Sequence, residues 1–274
     1  MLTNIVLLCF ALLSNFGTTQ SVNKWDGKWF PSIPDGEDRN PIIPFKRTDL
    51  TDHKHGIKMG IKDATCDDAK KGLIQDWFKQ PENYTCLDNR KLYLPNSYIH
   101  PLHTIERIPP HYNAPHACMN ETIEYNEIIP TFGTHRPLWG VFGEYKFLPK
   151  QRWLHNLEHG AIVMLYHPCA DRNEVNLLKK IVKNCLYKHI ITPYNLLEPN
   201  RPLVLISWGH RLEMSRVAID LAVKFIKDHA IHGPEKLTKN GQYDFMLLHK
   251  AKIVSDINDS NLCPNDNESG ITMK

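Results

Sequence analysis

The chain has 274 residues, 42% of them hydrophobic and 23% charged, an ordinary globular composition with room for one main core plus extensions. Its formal net charge of +3 comes from 33 basic side chains interspersed among 30 acidic ones without a run or stripe. That pattern excludes a phosphate backbone as the expected ligand, so no nucleic-acid partner is expected.

Residues 1–20 read as a signal peptide: residues 5–13 are apolar, and Gly17 and Thr19 precede a cleavage point. The run is much shorter than the roughly twenty residues a membrane anchor needs, and no later stretch is longer. No membrane span is therefore expected after signal removal, and the chain should be secreted or retained in the secretory lumen. Loss of Cys9 leaves Cys66, Cys86, Cys118, Cys169, Cys185 and Cys263, an even set suited to three disulfides in an oxidising compartment. Sequons at Asn83, Asn120, Asn258 and Asn267 mark a glycoprotein on the same route.

Residues 21–85 form an irregular arm with Trp25 and Trp29, containing one short helix over residues 67–78 that carries Leu73, Ile74, Trp77 and Phe78. His53 and His55 form an exposed H-x-H pair, read as solvated rather than metal-binding. Residues 86–250 are the main globular domain. Within it, residues 95–119 hold His100, His103, His111, His116, Cys118 and Met119, ligand types that suit copper or zinc. The alternative, preferred, is a proline-stiffened loop with Cys118 in a disulfide. Residues 122–129 read as a strand with Ile123, Tyr125 and Ile129 on one face. The aromatics Trp139, Phe142, Tyr145 and Phe147 read as packing.

The continuous apolar run at 161–166 predicts a strand buried on both faces. A helix capped by Asp171 follows, its stripe made of Val175, Leu178, Ile181, Val182, Cys185 and Leu186. A second buried strand at 203–208 leads through Gly209 into a further helix reaching about residue 228, with Met214, Val217, Leu221 and Phe225 inward. This strand-helix-strand-helix unit predicts parallel strands and a disulfide-bonded α+β domain, two layers with a mixed sheet. Cys169 and Cys185, at a strand end and on the inward helix face, are the first pair expected to cross-link. Residues 251–274 read as a flexible tail tethered by Cys263.

His155, Glu158 and His159 have the spacing H-x-x-E-H, and His135 lies upstream in a Gly-Thr-His-Arg-Pro turn. On a helical turn the two histidines share a face, so they can hold one zinc while Glu158 handles a proton, as in H-x-x-E-H metallopeptidases. Glu235 stands at the distance of those enzymes' third ligand, but acidic residues are frequent enough that the coincidence carries no weight. Pro149 and Gly160 confine the helix to two or three turns. We therefore expect His135, His155 and His159 to form a zinc or copper site, with one position open or with Glu158 closing the shell. The alternative is a metal-free hydrogen-bonded network that braces the loop. No nucleophile elbow and no phosphate-binding glycine loop is present.

The segments IEYNEIIPTFGTHRPLWGVFGEYKFLPKQRWLHNLEHGAIVMLYHPCA and RPLVLISWGHRLEMSRV closely resemble the animal tumor protein p53-inducible protein 13 family. They are more distantly similar to a bacterial domain family of unknown function with P-P-T-S-G-x-H and H-x-L-E-H-G patterns. The likeness covers roughly residues 86–234 and places the shared pattern on Gly133, His135, Trp139, His155, Glu158, His159 and Gly160. It implies an association with growth suppression, no established enzymatic activity, and a cytoplasmic location as the alternative to secretion. Phe132 stands where the family's usual serine would, and the C-terminal membrane segment of vertebrate members has no counterpart. Two functions stay open: a secreted metal-binding domain, in which Glu158 would be the catalytic residue if it is a hydrolase, and a non-catalytic extracellular interaction module whose histidines are structural.

Overall fold

A computed structural model describes residues 57–87, 92–235 and 237–264. The expected signal peptide, Trp25, Trp29, His53, His55 and Asn267 lie outside the described residues. In chain order the elements are β1 (Leu102–Ile105), β2 (Gly143–Tyr145), α1 (Lys150–Glu158), β3 (Ile162–Tyr166), α2 (Arg172–Cys185), β4 (His189–Pro193), β5 (Leu203–Ser207), β6 (His210–Met214), α3 (Ile219–His229) and β7 (Leu247–Lys250).

The strands form one mixed sheet in the order β1-β6-β5-β3-β4-β2-β7. β4 pairs parallel with β3 and β2, and the other neighbours are antiparallel. The α+β class and mixed sheet are as expected. Side chains alternate across a strand, so an unbroken apolar run needs cover on both faces. Ile162 and Met164 of β3 and Leu203 and Leu205 of β5 pack with α2 and α3. Val163, Leu165, Val204 and Ile206 pack on the opposite face against α1 and the aromatic segment carrying Leu138, Phe142 and Leu148. Asp171 caps α2 by accepting hydrogen bonds from the Asn173 and Glu174 amides.

Five local expectations are corrected. The strand that returns parallel to β3 after α2 is β4, whereas β5 lies antiparallel to β3. Gly209, at φ 77°, turns β5 into the strand β6 rather than into a helix, because H-R-L-E-M buries Leu212 and Met214 alternately and has period 2. Helix α3 starts only at Ile219 and leaves Leu221 46% exposed. Residues 122–129 form no strand, only a bend over 126–129, although Ile123 and Ile129 are buried. The helix expected over 67–78 contracts to a 3-10 turn, Leu73–Gln75, because Gly72 takes a left-handed conformation at its start.

Three disulfides join Cys66 to Cys118, Cys86 to Cys169, and Cys185 to Cys263. The expected Cys169–Cys185 link is thereby overturned. Cys185 does face inward, but residues 256–263 fold back onto it: the Cys263 amide donates to the Cys185 carbonyl at 2.8 Å, and Asp259 accepts from the Tyr187 and Lys188 amides. Such cross-links suit an oxidising compartment. Among the described residues no helix is long and apolar enough to cross a membrane.

Candidate metal centre

Helix α1 begins after Pro149, and its Trp153, Leu154 and Leu157 enter the core under the sheet. Residues three and four apart share a helical face, so Arg152, His155 and the Glu158-His159 end look away from that core. They are buried nonetheless, because the chain around 66–76, 116–121 and 135–139 covers them. Gly160 ends the helix at φ 81°, where a Cβ would come within 2.8 Å of the Ile231 Cα. The following segment caps the end: Ile231 donates to the Gly160 carbonyl at 2.8 Å and Glu235 to the Glu158 carbonyl at 3.1 Å.

Two buried arginines hold the covering layer. Arg136 binds both oxygens of Asp76 and donates to the carbonyls of Ala117, Cys118 and Glu121. Arg152 pairs with Asp67 and donates to the Leu138 carbonyl at 2.9 Å. The Cys66–Cys118 disulfide and a parallel bridge between His116 and His135 complete the fastening. His116 is thereby brought beside the H-x-x-E-H helix.

Four ligand atoms, one each from His116, His135, His155 and Glu158, lie within 4.8 Å of one another. None of these residues is more than 5% exposed. The His135 ring stands 4.5 Å from that of His155, and His116 stands 4.8 Å from each. The Nδ1 of His155 lies 2.6 Å from the Arg136 carbonyl and that of His135 lies 2.8 Å from the Gly133 carbonyl. A carbonyl only accepts, so both Nδ1 atoms carry a proton, and each Nε2 is the nitrogen turned towards the group. Each Nε2 is buried without a hydrogen bond. The Nε2 of His135 is nevertheless 3.1 Å from Glu158 Oε2. A ring nitrogen and a carboxylate oxygen this close need a cation, whether a proton or a metal ion, between them.

Burial, with the neighbouring rings of His135, His159 and His116 adding to it, pushes the His155 pKa well below the usual imidazole range. Burial also takes His159 down to about 3, against the attraction of Glu158. Both are neutral at pH 7, the form that ligates metal. Of the residues expected from sequence, His135, His155 and Glu158 converge. His159 lies alongside, its ring 4.6 Å from those of both His155 and Trp139 and its Nδ1 3.9 Å from Glu235 Oε2. It does not belong to the four-atom group. Sequence reasoning named His116 only within the 95–119 group, for which a proline-stiffened loop was preferred, and did not place it with the H-x-x-E-H helix. Its trace was the small apolar setting A-P-H-A, now seen as buried Ala114 and Ala117, inside a polar segment.

The span from His116 onward also stands out when the chain is compared with known families. Residues 116–242 match the family model described as a protein of unknown function (DUF3105). The matched segment contains all four converging residues together with His159. No curated protein and no solved structure matches the chain.

Proposed function

We propose that this is a secreted, disulfide-bonded glycoprotein domain that holds a zinc or copper ion through His116, His135 and His155, with Glu158 as the fourth ligand. The observation that carries the reading is the pair of buried Nε2 atoms, each fixed in the ligating tautomer by a carbonyl on its Nδ1. A buried Nε2 without a hydrogen bond, as at His155, costs on the order of 1–3 kcal/mol, and a bound ion would remove that cost and lie between the His135 Nε2 and Glu158 Oε2, 3.1 Å apart. Three imidazoles and a carboxylate suit zinc or copper(II) rather than the oxygen-preferring calcium or magnesium. His159, expected as a ligand, serves in this reading as a packed neighbour behind His155.

Four protein ligands fill a tetrahedral shell, and their burial favours a structural ion over a catalytic one. That supports the metal-binding domain in a structural rather than a hydrolytic role. A hydrolase would need Glu158 to leave the shell and take a proton from water. The resemblance to the tumor protein p53-inducible protein 13 family belongs to the same proposal and attaches growth control to it. Secretion is supported by the disulfides and by the sequons at Asn120 and Asn258, both of which are exposed.

Elemental analysis of protein made through a secretory route and purified without chelators tests the reading. About one equivalent of zinc or copper bound at the buried group is expected, and His135→Ala and His155→Ala should each remove it. Substoichiometric metal, together with no gain in stability on adding either ion, would refute the proposal.

A further inference from the structure

A second histidine cluster lies on the other side of the sheet. His103 sits on the edge strand β1, His210 opens β6, and His229 ends α3. In the β1–β6 ladder His103 faces Leu212 and Ile105 faces His210. Side chains alternate along β6, so His103 and His210 project from the same face as Leu212, the face that α3 covers. The last turn of α3 delivers His229 to this corner: its ring stacks on His210 at 4.0 Å and stands 5.2 Å from His103. Phe225, one turn earlier, packs against the rings of His103 and His229 at 5.6 and 4.9 Å. The buried centre belongs to α1 on the opposite face, so the two clusters are separate.

We propose that His103, His210 and His229 form a solvent-accessible site for a borderline divalent ion, zinc or copper(II), independent of the buried centre. One ligand nitrogen from each residue lies within 4.8 Å of the others. Nitrogens around tetrahedral zinc stand about 3.3 Å apart, so modest side-chain rotation closes the set. A second observation points the same way: the Nδ1 of His210 is buried at this corner without a hydrogen-bond partner. His103 is exposed and the other two half-buried, so an ion enters directly from solvent and keeps at least one position for water. The ion would tie the edge strand to β6 and α3, and it would select against calcium and magnesium, which prefer oxygen.

The test uses the whole secreted chain stripped with a chelator and titrated with zinc against a competing chromophore. Wild type should take up two equivalents. His103→Gln should lose the surface equivalent, weakening it at least by the roughly 10–100-fold that removal of even an outer partner costs, while the buried equivalent stays. His135→Ala should show the reverse, so failure of the buried centre and failure of this site are distinguishable. Substoichiometric copper(II) added to His135→Ala should broaden the imidazole NMR signals of His103, His210 and His229 ahead of those of exposed His100 and His111. Equal broadening at all exposed histidines, or uptake that His103→Gln and His229→Gln leave unchanged, would overturn the proposal.

Discussion

Arg136 is the residue on which the covering layer depends, and replacing it by methionine isolates that role. Its guanidinium is fully buried and meets Asp76 at 2.6 to 3.1 Å, and the Asp76 side chain is only 2% exposed. Methionine fills similar length without charge. It strands the carboxylate with only the Arg152 Nε at 3.8 Å, and it releases the carbonyls of Ala117, Cys118 and Glu121. Removing one member of a buried ion pair costs about 3–5 kcal/mol, and the lost carbonyl bonds place this case towards the upper end. At about 2–4 °C per kcal/mol for a domain of this size, the melting temperature should fall by roughly 10–20 °C. Adding Asp76→Leu should restore more than half of the loss, because an apolar pair avoids the stranded charge. The assay is urea unfolding followed by tryptophan fluorescence, in chelator and with the disulfides intact, so that metal and fold are read separately. A loss below about 1 kcal/mol, or a double variant no more stable than the single one, would refute the reasoning.

The Asn156 side chain pairs with both the amide and the carbonyl of Gly140, so Asn156→Leu should cost about 2–5 kcal/mol in the same urea assay, and less than about 1 would show that both groups find other partners. Burial, with Lys183 adding to it, holds His189 down at about 4, below its ordinary 6.5. Its stabilisation is therefore complete above pH about 6.5 and is lost as pH falls towards about 4, up to about 3 kcal/mol. His189→Asn should flatten the stability curve across that window by one proton's worth, whereas parallel curves for variant and wild type would contradict it. Replacing Cys185 and Cys263 by serine opens a link of sequence separation 78 and should cost about 4–5 kcal/mol by loop entropy. Peptide mapping under non-reducing conditions should join Cys185 to Cys263, and a Cys169–Cys185 peptide would contradict the fold described. Zinc at about 100 times its dissociation constant should stabilise the protein by about 2.7 kcal/mol, or roughly 5–11 °C, and His155→Ala should abolish most of that gain.

Local features were legible in the chain itself. Side-chain alternation and continuous apolarity marked β3 and β5, Asp171 and the 3.6-residue stripe marked α2, and Pro149 and Gly160 bounded the helix that carries His155 and Glu158. Each is set by neighbours within a few residues, where covalent geometry and backbone sterics act directly. The strands β4 and β6 were not legible: β4 carries His189, Thr192 and Pro193 among its apolar residues, and the three-and-four spacing of Met214, Val217 and Leu221 drew β6 into the helix that follows. The cysteine partners were equally hidden: an even count demands pairing, but which residue reaches Cys185 depends on how residues 256–263 fold back. The buried centre shows the same division. The H-x-x-E-H spacing placed two ring systems on one helix end, yet His116 enters and His159 stands aside because Arg136, Arg152 and the Cys66–Cys118 link pull a distant segment across α1. Ligand convergence within a few ångströms depends on contacts between segments far apart in sequence, and only the packed tertiary structure sets those distances.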